Sequence, residues 1–283
     1  MKIIKLKDKD FSICSSWYDI NITKFNQIRK LQEEKESMDL FDYNMKFIEI
    51  ITDMSRDELE RLNIEDFGIL LQELLTITSE DIKPIEHVII DIDKQYYVMD
   101  KTYNTMMIAQ GIDIDKITKE GDAWDNAHKI CASFIRKGKL TNRGKVRKIL
   151  GRKLRVSDFN IQEYSWDELQ KDSEIFLNKL PIPYIYNCMT FFFQAQREFK
   201  QAFVGLFNTK PPEEEDKDKP VTKTLLEEYS ARWNWYALIL ELSGNDLGKF
   251  EQVLRYRMVD VFNYLAYKKE TEDYKRHINK NNK

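Results

Sequence analysis

Cysteine, histidine, proline and glycine are all scarce in this 283-residue chain, at 3, 3, 6 and 9 copies. Cys14, Cys131 and Cys188 are far apart, odd in number and form no CxxC pair, which excludes a disulfide framework and points to a reducing compartment. His87, His128 and His277 have no Cys, His or carboxylate partner at ligand spacing, so no metal site and no cofactor are expected. The glycine patterns GxGxxG, GxxxxGK[ST] and GxSxG and the HExxH pair are missing. Carboxylate neighbours such as Glu33-Glu34, Asp113 and Asp115, and Glu213 to Asp216 are ordinary in so charged a chain, and nothing sets two of them about a reacting bond. Hence no catalytic constellation and no small-molecule substrate are predicted.

Long apolar runs are missing too. No stretch reaches the roughly 18 residues a membrane span needs, and MKIIKLKDKDF breaks its short apolar run with charge, unlike a signal peptide. A cytoplasmic chain is expected. Charge of one sign is also lacking: the net is -3 despite a charged fraction of 33%, so any polyanion must meet a local patch.

What is present is helical periodicity. A hydrophobic fraction of 42% suffices for one large or two modest domains. Ile22, Phe25, Ile28 and Leu31 recur at helical spacing behind Asn21 or Thr23 as cap. Phe41, Met45, Ile48 and Ile51 form a second stripe, and Ser55 with Glu58 has the capping-box form before a short helix at 58–62. Phe67, Leu70, Leu71, Leu74 and Leu75 form another face. Further helices are predicted after Thr102 or Asn104 and over 124–134, 164–180 and 184–207. The last is apolar almost all round and is expected to be the most buried. It follows Pro181-Ile-Pro183, where a helix must break.

The period drops to two in only two places. Lys2 to Lys7 with Phe11 to Ser15, and Val88 to Ile92 with Tyr96 to Met99 around an Asp93-Lys94 turn, read as hairpins. Each precedes a helix, which admits either a pseudo-repeat of about 85 residues or two unrelated hairpins. The predicted class is mainly α with small antiparallel β-hairpins (α+β). Its expected divisions are 1–83, 84–209, a charged linker at 210–220, and a C-terminal helical pair at 221–283 whose polar end frays.

Residues 136–155 hold ten bases and no acid, with Gly138, Gly144 and Gly151 among them. The segment reads as a basic loop. Clustered cations of this kind gain affinity for phosphate by releasing counterions. Arg143, Lys145, Arg147, Lys148, Arg152 and Lys153 are the candidates for nucleic acid, although no aromatic residue is interleaved to stack on bases. A solvated loop, or one docked on an acidic partner, fits the same residues.

From Leu225 to Tyr267, apolar and aromatic residues recur at helical spacing on both sides of Ser243-Gly-Asn-Asp246, which predicts two antiparallel helices and a tight turn. Trp233 and Trp235 cannot share a face. With Trp233 inward, its replacement by Ala would cost roughly 3 to 5 kcal/mol. Trp235 would then point outward. Leu247, Phe250, Leu254, Met258, Val261 or Phe262, and Leu265 form the expected inward stripe of the second helix. Trp233, Trp235, Tyr236, Arg255 and Arg257 are the candidate contacts with a partner protein.

Trp233 with Tyr236 and Leu240, the Gly-Asn-Asp turn, Phe250, Val253 and Phe262-Asn-Tyr-Leu-Ala-Tyr267 together resemble the C-terminal helical pair of tailed-bacteriophage tail assembly chaperones and similar virion-assembly proteins. Ser16-Trp17-Tyr-Asp-Ile20 with Ile22-Thr-Lys-Phe25 is similar to their opening W-x-[DE]-I-T-x-x-[QK]-[FY] pattern. Thr105, Gln110-Gly111, Ile112 and Asp113 resemble their second hairpin stretch, with Gln and Gly in reverse order, and Lys129 to Ile135 their small apolar helix. The basic segment stands where a proline-containing polar loop belongs. The resemblance implies a non-enzymatic protein of particle assembly, acting in the host cytoplasm as a chaperone that binds tail or head structural proteins. Its alternatives are a structural component of the virion, in the neck, a ring or the tail, and a virion protein that binds nucleic acid.

Overall fold

A computed structural model describes residues 1–6, 9–79, 81–83, 85, 88–99, 105–203 and 225–281. The 210–220 linker, His87, and Thr102 and Asn104 as caps lie outside the described residues. The described chain is mainly helical, with one antiparallel sheet of two strands and one of four.

The chain opens with β1 (Lys2–Leu6) and β2 (Lys9–Ile13), paired from Lys2–Ile13 to Leu6–Lys9. Leu6 and Ile13 are fully buried. Helix α1 (Ile22–Glu33) starts where Asn21 Oδ1 accepts the Lys24 amide at 3.0 Å, which selects Asn21 over Thr23 as the cap. Helix α2 (Leu40–Thr52) is capped by Asp39 and stopped by Asp53 in the left-handed region at φ 58°. The capping box of Ser55 and Glu58 is present and begins α3 (Arg56–Glu60). Helix α4 (Ile64–Ser79) buries Leu70, Leu74 and Ile77. Leu75, expected on that face, is exposed, because the buried stripe follows the spacing 70, 74, 77 and carries Leu75 round to the solvent side.

The second hairpin is β3 (Ile89–Ile92) and β4 (Gln95–Met99), and both turn residues, Asp93 and Lys94, have positive φ, as a tight hairpin turn requires. Helix α5 (Ile108–Lys119) begins after Met106 and Met107, not before them, and α6 (Ala127–Phe134) begins after Trp124. The 136–155 segment is not a loop. It forms β5 (Ile135–Leu140), which pairs with β4 from Tyr96–Gly138 to Met99–Ile135, and α7 (Asn142–Ile149). The short β6 (Phe159–Ile161) pairs with β5 on its other side, so this basic strand is internal to a sheet ordered β3-β4-β5-β6. Apolar alternation is weak in IRKGKL, and only long-range pairing makes it a strand.

Helices α8 (Trp166–Lys179) and α9 (Ile182–Ala202) are separated at Leu180-Pro181. The α9 helix is two-sided rather than buried all round: Ile182, Ile185, Cys188, Met189 and Phe192 are covered while Tyr186 and Phe193 reach solvent. Helix α10 (Leu225–Leu242) ends in a Schellman turn. The Asn245 amide donates to the Leu240 carbonyl and the Gly244 amide to that of Glu241, with Gly244 at φ 67°. The second member of the C-terminal pair is split into α11 (Phe250–Leu254) and α12 (Met258–Asn281). The polar end predicted to fray is helical through Asn281.

The chain divides into two compact units, Met1–Lys101 with Ile117–Phe191, and Thr102–Lys116 with Phe192–Lys283. In the first unit, Cys14 N–H donates to the Ile51 carbonyl, tying the end of the hairpin to α2, and Ile182 N–H donates to that of Ile20, tying the start of α9 to the approach to α1. Rings run from Trp17 to Phe25 to Trp124 to Tyr186 at centroid separations of 6.3, 5.5 and 6.0 Å. In the second unit, Phe199 and Phe203 pack on Phe262 at 4.7 and 5.5 Å.

The fold of the basic segment depends on Gly144. A Cβ there would lie 2.4 Å from the Asp158 carbonyl oxygen and 2.8 Å from Leu140 Cδ2. Gly144→Ala should therefore destabilise the chain by about 1 to 3 kcal/mol, read from the midpoint of urea unfolding.

Candidate interaction surfaces

In the second unit, α10 presents its two tryptophans the opposite way round from the sequence expectation. Trp233 is 42% exposed and meets Tyr236, also exposed, edge to face at 5.6 Å; Tyr236 in turn meets Phe250 at 5.8 Å. Trp235 is half-buried, and its indole Nε1–H donates to Asp115 Oδ2 on α5 at 2.9 Å. The reversal has a physical cause. An indole set against a helix from another part of the chain needs a partner for its N–H, and Asp115 supplies one for Trp235. Trp233 has no such role, so the large cost expected for its removal does not apply.

The expected inward stripe of the second helix is also corrected. Met258, Val261 and Phe262 are buried, Phe250, Leu254 and Leu265 are half-buried, and Leu247 is exposed. The split between α11 and α12 comes from Met107, whose backbone forms an antiparallel bridge with Arg257. The Ile108 amide donates to the Tyr256 carbonyl at 2.9 Å and the Met258 amide to that of Met106 at 2.8 Å. Carbonyl and amide groups that a helix would use internally are thus taken by another strand-like segment. Gly111 sits directly over Met258, where a Cβ would lie 2.3 Å from Sδ.

Arg255 and Arg257 are both exposed. Arg257 makes two bonds to Asp260, Nε to Oδ2 at 2.6 Å and Nη2 to Oδ1 at 3.0 Å. Beside it lies a groove of about 500 Å³ lined by Leu242, Tyr256, Val261 and Tyr264. A second groove of about 520 Å³ is lined by Trp235, Leu238, Phe262 and Leu265, with Asp115, Glu241 and Lys268 at its polar side. The structure therefore brings Arg257 next to apolar surface but sets Trp235 in a different groove. Tyr256 was not legible as a surface residue from the sequence, because the break at 255–257 depends on the distant Met106–Ile108 backbone.

The six cations considered for phosphate divide into two sets. Arg147 is half-buried. Its Nε lies 3.1 Å from Oδ2 of the fully buried Asp158, and its Nη2 donates to the Lys153 carbonyl at 3.0 Å. Arg143 Nε stands 3.7 Å from Asp158 Oδ1 with its side chain mostly in solvent. Lys148 lies 5.0 Å above the Tyr96 ring. Lys145, Arg152 and Lys153 are exposed, interleaved with exposed Val146, Ile149 and Leu150. The surface is basic and apolar together.

Behind it, Lys137 on β5 lies 2.6 Å from Glu168 Oε2 and 3.0 Å from Asp172 Oδ1, while the buried Tyr97 hydroxyl donates to Asp172 at 3.2 Å. Burial raises the Asp172 carboxyl above its usual range, and the bond to Lys137 lowers Glu168. Burial, with the Asp172 charge adding to it, pushes Tyr97 up to about 12. For Lys137 burial acts downward, but the bonds to Glu168 and Asp172 outweigh it and hold the ammonium at about 12. The cleft beside this network has room of only about 10 Å³, about the least that takes one water and far below the size of a substrate. It fastens the sheet to α8.

Burial lowers the pKa of His128, with Lys129 adding to the effect and the Asp125 backbone opposing it. Among the described residues no three His, Cys, Asp or Glu side chains gather as a metal site, and no helix is long and apolar enough to cross a membrane.

No family model, curated protein or solved structure matches this chain.

Lys137 and Tyr97 both keep their protons in the folded chain where the unfolded chain loses them. Stability should accordingly fall as pH rises from 10 through about 12, with the melting temperature as readout. Lys137→Met, which strands the Asp172 charge, should cost about 3 kcal/mol at neutral pH and reduce that alkaline loss.

Proposed function

We propose that this chain is a non-enzymatic protein of tailed-bacteriophage assembly that covers apolar surface on a tail or head structural protein in the host cytoplasm. The observation that carries the reading is the exposed aromatic edge of Trp233 and Tyr236, held by Phe250 behind it. Trp, Tyr and Arg are the side chains enriched where binding energy concentrates at protein interfaces, and the aromatic rings among them bury much area for little lost conformational freedom. Arg255 and Arg257 are exposed on the same unit, and Arg257 borders an apolar groove of its own. The motif resemblance over Trp17 to Phe25 and Trp233 to Tyr267 supplies the class of partner.

Trp233→Ala with Tyr236→Ala should change stability little, since both rings are largely outside the core, but should remove a structural protein that co-purifies from an infected lysate. If the native chain brings down neither a tail nor a head protein and mature particles lack it, the reading is wrong.

A second reading is favoured by one observation, the exposure of Lys145 on α7 and of Arg152 and Lys153 in the segment that follows it. On this reading the protein also touches nucleic acid. Binding to duplex DNA should weaken steeply with salt, and Lys145→Gln with Arg152→Gln should reduce the salt slope by about 2. Absence of binding at low salt removes it.

A further inference from the structure

The 24-residue α12 is apolar on two opposite sides. Met258, Val261 and Phe262 face inward and are buried. Tyr264, Tyr267, Thr271, Tyr274 and Ile278 follow one another at alternating steps of three and four residues. That spacing sets them on a single stripe roughly 150° round the helix from the buried one. Tyr267 is 70% exposed and Tyr274 66%, and Tyr264 and Ile278 are exposed as well. The spacing is that of the a and d positions of a coiled coil. The stripe covers about two heptads, too little to hold an isolated helix together, but this helix does not depend on the stripe for its existence. Its first turns are already fixed by Met258 against Gly111 and by Phe262 against Phe199 and Phe203.

The charges beside the stripe choose the occupant. With Tyr264 and Tyr267 as a and d, Glu270 takes a g position and Lys275 the following e position. Neither makes an ion pair among the described residues. In a parallel two-fold arrangement, Glu270 faces Lys275 of the partner subunit, and the same contact repeats across the axis. An antiparallel arrangement instead runs the e row, Lys268 and Lys275, against itself. We propose that α12 is a self-association helix, and that two copies of this chain pair in parallel through Tyr264, Tyr267, Thr271, Tyr274 and Ile278. This surface is separate from the Trp233–Tyr236 edge and stands whether or not that edge binds a structural protein.

Sedimentation equilibrium of the full chain tests it. The native protein should be a dimer at tens of micromolar. Tyr267→Lys with Tyr274→Lys should raise the dissociation constant at least about tenfold with unchanged circular dichroism, because neither ring is part of the core. Glu270→Lys should weaken the dimer, and adding Lys275→Glu should restore it. Ile278→Cys should give a covalent dimer on mild oxidation, since the three native cysteines are all buried. A native chain that stays monomeric up to about 0.5 mM overturns the proposal, as does a dimer indifferent to the tyrosine substitutions. A dimer that Ile278→Cys cannot cross-link overturns the parallel arrangement.

Discussion

A buried backbone amide or carbonyl must find a partner, and for two segments whose own sequence reads otherwise that partner is far away in the chain. Ile135–Leu140 pairs with β4 and β6, and Arg257 pairs with Met107. The first pairing turns a run of cations into the interior of a sheet. The second splits the last helix, turns Tyr256 outward and starts α12 at Met258. Without these two pairings the basic segment would be the solvated loop its composition describes, and the C-terminal pair would be two plain helices.

Once the basic segment is drawn into the fold, its charges have to be dealt with one by one. Lys137 is held between Glu168 and Asp172, and Arg147 against the buried Asp158. Buried ion pairs of this sort add little net stability but penalise strongly any arrangement that leaves one charge alone, so they act as register marks for the sheet and α7. Lys145 and Arg152 end on the outside, beside exposed Val146, Ile149 and Leu150. A net charge of -3 conceals this division of labour completely.

The aromatic residues are divided by a similar rule. Rings that can satisfy their polar atom, such as Tyr97 at Asp172 and Trp235 at Asp115, go in or half in. Trp233, Tyr236, Tyr267 and Tyr274 stay out, on faces of helices whose other faces already supply the core. An excess of exposed aromatic surface on the second unit is what the assembly reading draws on.

Local chemistry was legible wherever a few neighbouring residues decide the outcome. The α1 start at Asn21 or Thr23, the capping box of Ser55 and Glu58, the Asp93-Lys94 turn, the break at Pro181 and the Gly244-Asn245 helix end all follow from side chains within a turn of the backbone they control, and the structure settles the first on Asn21. The helical class followed from the same periodicity. What the tertiary structure alone decided is which face of each element is inside, and where a helix stops for reasons other than its own residues. Trp233 and Trp235 are alternatives on one helix until Asp115 on another element accepts the indole of one of them. Arg255 to Arg257 is good helix sequence until Met107 takes its backbone. IRKGKL carries no strand pattern until Tyr96 to Met99 lies alongside it. Short-range preferences amount to a few tenths of a kilocalorie to about 1 kcal/mol per residue, and buried long-range pairings exceed them.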